Sequence, residues 1–188
     1  MTLSEKQKML CGELYDCKDP ELVDLRFRAR RLMRLYNTST EDQLDRRQEL
    51  LAEILGHLGQ GVWIEPPFYF DYGSFIELGD KVYLNVNCVI LDCNRVRIGD
   101  QTMLGPSVQI YAAYHPIDAV ERCAGPECAA PVTIGRQTWI GGGAIICQGV
   151  SIGDRTTIGA GSVVTKDIPS DVFAAGNPCR VIRSLKNG

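Results

Sequence analysis

The 188-residue sequence is poor in histidine and has neither an excess of positive charge nor a long apolar run. It contains two histidines, and none of its eight cysteines belongs to a C-x-x-C pair, so no spacing fits a structural zinc site and we expect no metal. A net charge of −3 at pH 7 disfavours a nucleic-acid partner. No window approaches about 18 uninterrupted apolar residues, so we expect neither secretion nor membrane insertion.

The composition is otherwise that of a folded protein. Hydrophobic residues make up 45% and charged residues 23% of the chain, which excludes disordered and collagen-like classes. Without a secretory signal, the eight cysteines indicate reduced thiols and a cytoplasmic protein. Charge is uneven, because residues 131–188 carry six basic and three acidic side chains. This basic segment favours a small anionic ligand.

Helix signals occupy the first sixty residues. The start Asp19-Pro20-Glu21 supplies an N-cap and an early proline, and apolar residues then recur at helical spacing to Tyr36. The segment Thr40-Glu41-Asp42-Gln43 fits a capping box and predicts a second helix through Leu58, with His57 near its end complementing the helix dipole. A brief helix is predicted before them over residues 4–11. The segment 1–60 is therefore predicted to be helical.

A six-residue repeat begins after this segment. The residue two before each repeat position is small or β-branched, and the residue after it is usually glycine; the repeat positions are Ile134, Ile140, Ile146, Ile152, Ile158 and Val164. Such a unit suits one side of a coil, with the aliphatic residue pointing inward. The sequence thus predicts a mainly β protein, with a parallel β-helix of about five coils over residues 61–188.

A loop without this repeat interrupts the coils at residues 111–133, and it contains His115. Long loops on rigid scaffolds often carry function. Several ordered motifs accompany the loop and the repeats: Gly12-Glu13-Leu14-Tyr15, Tyr72-Gly73, Asn85, Tyr114-His115-Pro116-Ile117-Asp118, Trp139-Ile140-Gly141-Gly142, Gly159-Ala160-Gly161-Ser162 and Gly176-Asn177-Pro178-Cys179-Arg180.

Together these motifs closely resemble the maltose and galactoside O-acetyltransferases, over essentially the whole chain. The resemblance implies a left-handed β-helix with a C-terminal extension. It also implies acetyl transfer from acetyl-CoA to a hydroxyl of a maltose-, glucose- or galactoside-type sugar. The expected assembly is a homotrimer with active sites between subunits, and the expected partners are these two small molecules.

His115 is the expected catalytic base. A hydroxyl that attacks a thioester must lose its proton, and histidine has a suitable intrinsic pKa near neutrality. Direct attack needs no covalent intermediate, although Cys123 and Cys128 share the loop and leave an acetyl-cysteine route open. Glu127, in the same loop, is a candidate to hydrogen-bond the imidazole.

The resemblance also implies binding residues. On the acceptor side they are Asn85, Asp71, Asp16, Cys93 and Glu127, where Cys17 is an alternative to Asp16, and where Asp71 and Cys93 depart from the family pattern. On the acetyl-CoA side they are Trp139, Gly142, Ala160, Thr165, Lys166, Arg180 and Arg183. Small residues let the pantetheine arm lie on the coil, cations meet its phosphates, and a backbone N–H near Gly142 is expected to receive the oxyanion.

The sequence leaves three alternatives open. An acetyltransferase of the same fold could act on another acceptor, such as a nodulation-type oligosaccharide, serine or an antibiotic. A zinc carbonic anhydrase of β-helix type would need three histidine ligands, and the chain has two histidines. A non-catalytic solenoid scaffold would not bind CoA.

Overall fold

The computed structural model describes residues 2–186, and it begins with three helices. They are α1 (Glu5–Cys11), α2 (Pro20–Asn37) and α3 (Leu44–Ile54). The first two helices start as the sequence predicts: the Ser4 hydroxyl accepts from the Gln7 amide in a complete capping box, and the Asp19 carboxylate accepts from the Glu21 amide. No helix within residues 2–186 combines the length and the apolar character that a membrane span requires.

The predicted bounds of the third helix are wrong at both ends. It begins after Gln43 instead of Thr40, and it ends at Ile54 instead of continuing to Leu58. The reason for the early end is tertiary: Leu55 is extended, and the Gly56 amide donates to the Ile76 carbonyl oxygen at 3.0 Å. His57 therefore lies in a strand and not at a helix end, so its predicted role beside the helix dipole is also wrong.

The remaining chain winds into a parallel β-solenoid with three sheets. Sheet 1 contains β1 (His57–Leu58), β4 (Ile76–Leu78), β7 (Val96–Ile98), β12 (Val132–Ile134) and β15 (Ser151–Ile152). Sheet 2 contains β2 (Trp63–Ile64), β5 (Tyr83–Leu84), β8 (Met103–Leu104), β13 (Trp139–Ile140), β16 (Thr157–Ile158) and β18 (Val172–Ala175), with β19 (Arg180–Ser184) antiparallel at its edge. Sheet 3 contains β3 (Tyr69–Phe70), β6 (Val89–Leu91), β9 (Gln109–Tyr111), β14 (Ile145–Ile146) and β17 (Val163–Val164).

These ladders confirm the mainly β solenoid that the six-residue repeat predicts. The six aliphatic repeat positions are all buried, with at most 2% of each residue exposed. The glycine that follows them is needed because the coils approach closely: a Cβ on Gly141 would lie 2.4 Å from the backbone nitrogen of Ala160 on the next coil. The first strand, β1, lies on the N-terminal side of the boundary at residue 60.

The helices cover the first coil and one side of the solenoid. Residues of α2 and α3, among them Tyr36, Leu51 and Ile54, join the same apolar core as the coils. A second, smaller cluster packs the N-terminal segment against the side of the solenoid, and it contains Met9, Tyr15, Leu22, Tyr72, Cys93 and Ala129. This second cluster places the start of the chain beside the loop that interrupts the repeats.

The interrupting loop is an ordered excursion. It contains β10 (Ala113–Tyr114) and β11 (Cys128–Ala129), which pair antiparallel, and the short helix α4 (Ala119–Cys123) between them. The Asp118 carboxylate caps α4 by accepting from two backbone amides. Arg122 donates to the carbonyl oxygens of Pro116 and Ile117. The loop thus leaves the coil and returns to it through its own hydrogen bonds.

Candidate active site

Three of the five predicted acceptor residues lie at one corner of the solenoid together with His115. Asp71 follows β3, Cys93 follows β6 and His115 follows β10, which itself comes directly after β9. Because β3, β6 and β9 are parallel neighbours in sheet 3, their C-terminal ends meet at the same corner on successive coils. A cavity of about 360 Å³ opens there, lined by Cys17, Arg26, Arg30, Asp71, Tyr72, Leu91, Cys93, Ala113, His115 and Glu127.

His115 stands at the end of the β10–β11 hairpin. The neighbouring Tyr114 pairs with Cys128, and the following Pro116 is buried, so both flanks of the histidine are held. The histidine itself is exposed at the cavity surface. An accessible imidazole on a fixed backbone suits a group that exchanges a proton with a bound molecule.

Asp71 and Cys93 form a hydrogen-bonded pair in this cavity. The Cys93 thiol donates to Asp71 Oδ2 at an Sγ–O distance of 3.4 Å. Burial raises the pKa of the Asp71 carboxyl, while the hydrogen bond from Cys93 opposes that rise. Burial and the nearby Asp71 raise the pKa of the Cys93 thiol, so the thiol remains a donor at neutral pH.

Glu127 is held by the N-terminal segment. Its Oε2 accepts from the Tyr15 hydroxyl at 2.9 Å, and the backbones of the two residues exchange hydrogen bonds as an antiparallel bridge. Burial raises the pKa of Tyr15, which keeps its hydroxyl protonated. The described partner of the Glu127 carboxylate is therefore Tyr15, whereas the sequence suggested the imidazole.

Sequence reasoning missed the basic side of the cavity. Arg26 on α2 donates to the Tyr72 hydroxyl at 2.9 Å and to the Cys17 carbonyl oxygen at 2.6 Å, and its guanidinium lies 5.8 Å from the Tyr72 ring centroid. Arg30 lies one helical turn further along α2. Their i, i+4 spacing places both arginines on one face of the helix, which was a usable signal.

Two predicted acceptor residues do not line this cavity. Asp16 instead borders a separate surface pocket with Lys18 and residues 124–126, while its neighbour Cys17 faces the cavity. Asn85 follows β5 in sheet 2, and its side-chain oxygen accepts from the Val86 amide at 2.8 Å. Within one chain, the structure therefore does not bring Asn85 together with His115.

A second groove lies on sheet 2, at the basic end of the chain. The register aligns Trp139 with Thr157, Thr157 with Phe173, and Phe173 with Arg183 on four adjacent strands. Leu185 completes this groove of about 270 Å³, and 54% of Trp139 is exposed in it. Sequence reasoning missed Thr157, Phe173 and Leu185. The strand register identifies Thr157 and Phe173, and Leu185 follows β19 at the edge of the groove.

Of the predicted donor residues, Trp139 and Arg183 line this groove, and the others lie outside its lining. Gly142 and Ala160 follow adjacent strands of sheet 2, and the Gly161 amide donates to the Gly142 carbonyl oxygen at 3.0 Å. Four further residues are exposed: Thr165, Lys166, Arg180 and Arg183. Among residues 2–186, no group of three or more His, Cys, Asp or Glu side chains could hold a metal ion.

The comparison with known families matches both parts of the chain. Residues 8–59 match the maltose acetyltransferase hexapeptide capping motif, and residues 131–166 match the bacterial transferase hexapeptide family of six repeats. The chain is 50% identical to Nodulation protein L of Rhizobium meliloti, covering 96% of this chain and 99% of that protein. It is 40% identical to the galactoside O-acetyltransferase of Escherichia coli, covering 100% and 92% respectively.

Solved structures agree with this comparison over the full length. A maltose O-acetyltransferase from Clostridium difficile is 46% identical, with a TM-score of 0.98 and complete coverage of both chains. A galactoside acetyltransferase in complex with coenzyme A is 39% identical, with a TM-score of 0.96, covering 99% of this chain and 93% of that one.

Proposed function

This chain belongs to the hexapeptide-repeat acetyltransferase family of the maltose and galactoside enzymes, and we propose that it transfers acetyl from acetyl-CoA to a sugar hydroxyl. The acceptor is a sugar of the maltose, glucose or galactoside type. The observation that carries this proposal is the His115 cavity, which two guanidinium groups and two carboxylates also line. Such a mixture suits a polyhydroxylated acceptor, because each hydroxyl both donates and accepts hydrogen bonds.

In the proposed reaction His115 acts as the general base. The imidazole takes the proton of the acceptor hydroxyl while that oxygen attacks the thioester carbonyl carbon. When the C–S bond breaks, the imidazolium returns the proton to the departing CoA sulfur. The chain needs no covalent acetyl-enzyme for this sequence. Burial raises the pKa of Cys128, which disfavours the thiolate that the acetyl-cysteine route would need at that position.

The donor occupies the groove on sheet 2 in this proposal. Trp139 and Phe173 offer apolar surface to the CoA moiety, and Gly142 and Ala160, which follow adjacent strands of sheet 2, let its pantetheine arm lie against the coil. Lys166, Arg180 and Arg183 meet the phosphates, with Thr165 beside them. A backbone N–H near Gly142 receives the oxyanion. The CoA complex of the similar galactoside acetyltransferase supports a CoA site on this fold.

We also propose a homotrimer with active sites between subunits. Two observations support it. Asn85 lies outside the His115 cavity of its own chain, so an acceptor contact by Asn85 requires a second subunit. The aligned side chains Trp63, Tyr83, Met103 and Trp139 also form a partly apolar column along sheet 2, with Met103 50% exposed. The proposed compartment is the cytoplasm, where reducing conditions keep cysteines such as these eight free.

A second acceptor class has a specific observation in its favour. The identity to Nodulation protein L is 50%, against 40% for the galactoside enzyme. A nodulation-type oligosaccharide is therefore the first alternative acceptor, ahead of serine or an antibiotic.

The test is release of CoA thiol from acetyl-CoA with separate acceptors. We would compare maltose, glucose, a β-galactoside, a chito-oligosaccharide and serine, and measure CoA binding by calorimetry in parallel. Turnover with a simple sugar above all others supports the proposal. Turnover with the oligosaccharide or serine alone would move the acceptor to that class. CoA that fails to bind would contradict the enzyme assignment and favour a scaffold.

A further inference from the structure

Asp92 is a fully buried carboxylate beside the His115 cavity, and it does not line that cavity. Its Oδ1 accepts from the backbone amides of Asp71 at 3.1 Å and Tyr72 at 2.8 Å, and its Oδ2 accepts from the amide of Phe75 at 3.2 Å. One carboxylate on β6's coil thus holds three amides of the turn 71–75 on the neighbouring coil. Above about pH 7 the Asp92 carboxyl is ionised, and hydrogen bonds to an ionised group are the strong ones in a protein interior.

The solenoid does not need such a carboxylate at this corner. The same corner of a later coil, after β14, is formed by Cys147, Gln148 and Gly149. Burying a carboxylate is costly unless it is well bonded. The buried carboxylate therefore occurs on the coil that carries the cavity, whereas the later coil forms the same corner without a carboxylate.

The turn 71–75 carries two walls of the cavity. Asp71 presents its carboxylate to the Cys93 thiol, and Tyr72 presents its hydroxyl to Arg26. The turn is also confined from the other side, because a Cβ on Gly73, which has φ +73°, would lie 2.7 Å from Ile54 Cγ2. Asp92 is the group that fixes the amides of this turn from within.

We propose that Asp92 is a positioning residue for the acceptor. By holding the turn 71–75 it sets the places of the Asp71 carboxylate and of the Tyr72–Arg26 pair on the cavity wall. This inference rests on the proposed sugar acetyltransferase function. It assigns Asp92 no contact with the acceptor and no role on the CoA side, because the donor groove lies on sheet 2.

The test is Asp92→Asn with steady-state kinetics for both substrates above about pH 7, where the Asp92 carboxyl is ionised. The amide can still accept with its oxygen, but its nitrogen would face the Phe75 N–H, donor against donor. We expect KM for the acceptor sugar to rise about tenfold or more, as for the loss of a hydrogen bond to a charged group. We expect KM for acetyl-CoA to stay within about twofold, because the donor groove lies on sheet 2. Uniform damage to the fold would instead raise both KM values.

Thr102→Val is the matched structural control. Thr102 is also fully buried; its hydroxyl donates to the Gly135 carbonyl oxygen at 2.7 Å and accepts from the Thr138 amide at 3.0 Å. Thr102→Val is expected to lower Tm without raising the acceptor KM, whereas Asp92→Asn is expected to raise the acceptor KM. If the acceptor KM is unchanged in Asp92→Asn, or rises equally in both variants, the positioning role is overturned.

A second variant decides the matter if Asp92→Asn does not fold. Gly73→Ala displaces the same turn while leaving Asp92 intact, so it too should raise the acceptor KM and spare that of acetyl-CoA; an unchanged acceptor KM overturns the inference. Failure of the proposed function has a different signature. In that case the wild-type enzyme turns over no sugar, and the positioning role of Asp92 is overturned together with the proposed function. If the wild-type enzyme does turn over a sugar and the variant has an unchanged acceptor KM, only the positioning role of Asp92 is overturned.

Discussion

The Cys93 thiol donates a hydrogen bond to the Asp71 carboxylate across two neighbouring coils, at 3.4 Å, on the wall of the His115 cavity. The thiol is the hydrogen-bond donor to one carboxylate oxygen, Oδ2. The other oxygen, Oδ1, can then accept from an acceptor hydroxyl. Because the pKa of the thiol is raised, this arrangement persists at neutral pH.

Replacement of Cys93 should distinguish hydrogen-bond donation by its thiol from the contribution of its side chain to packing. Cys93→Ser keeps a donor toward Asp71, whereas Cys93→Ala removes it and leaves the carboxylate unpaired. We expect KM for the acceptor to rise about five- to tenfold in the alanine variant and to change less in the serine variant. Initial rates over a range of sugar concentrations measure this, and equal KM values in both variants would argue against the pair.

His115→Ala should lower kcat by about 10²- to 10⁴-fold, since it removes the proposed general base. His57→Ala is the matched control, because His57 lies in β1, away from the cavity. Both variants should keep the wild-type circular dichroism spectrum. Near wild-type turnover in a folded His115→Ala would rule out the proposed base.

Trp139→Ala should weaken donor binding. Half of this side chain is exposed in the sheet 2 groove, so its removal should raise KM for acetyl-CoA about tenfold with little change in Tm. The control is Trp63→Phe, which removes the other tryptophan of the chain at the far end of the same sheet and keeps an aromatic side chain in the column along sheet 2. CoA should quench or shift the fluorescence of the Trp63→Phe protein, where Trp139 is the remaining indole. A silent titration despite calorimetric binding would place CoA elsewhere.

Mixing two inactive variants should restore activity if the sites lie between subunits. Asn85→Ala and His115→Ala are each expected to be impaired, and after joint refolding about one quarter of the sites in random trimers combine both intact side chains. The measurement is turnover of the mixture against each parent, with sedimentation to show a mass about three times the 20.8 kDa chain. A mixture no more active than its parents would mean that both side chains act within one subunit or that Asn85 is dispensable.

Asp92 should make stability depend on pH. Burial raises its folded-state pKa from 3.8 to about 7, while backbone amides of the turn 71–75 oppose that rise. A raised folded pKa means that the protonated form is favoured in the fold, so the group's contribution is full below about pH 4 and is lost as pH rises toward about 7. The free energy of unfolding should fall by up to about 1.4 kcal/mol per pH unit in that window relative to Asp92→Asn. Urea titrations of both proteins between pH 4 and about 8 measure the difference, and parallel pH profiles would contradict it.

The coil interior could be predicted from sequence because its determinants are local. Each aliphatic repeat position, such as Ile146, is buried by the geometry of its own six-residue unit. The end of α3 could not be predicted, since Gly56 pairs with Ile76, twenty residues further along the chain. Gly59 marks a close approach between coils, where a Cβ would lie 2.3 Å from the Gly79 carbonyl carbon.

Only part of the candidate site could be predicted from the sequence. Asp71, Cys93, Glu127 and His115 do share one cavity, although their binding and catalytic roles stay predictions. The i, i+4 spacing of Arg26 and Arg30 is visible in the sequence, but only the docking of α2 on the solenoid brings that helix face to the cavity. Asp92 looks in the sequence like any turn aspartate, and only the neighbouring coil reveals its three amide partners.

Because the parallel coils stack at a regular spacing, the number of coils that line the cavity sets its extent along the solenoid axis. Asp71, Cys93 and the loop bearing His115 leave sheet 3 on three successive coils, whose spacing is about 4.8 Å. One extra coil inserted between β6 and β9 would lengthen the rod without disturbing its interior, yet it would carry His115 about 4.8 Å away from Asp71. The number of coils between residues 70 and 115 therefore sets the distance between Asp71 and His115. The number of coils beyond β15 does not affect that distance.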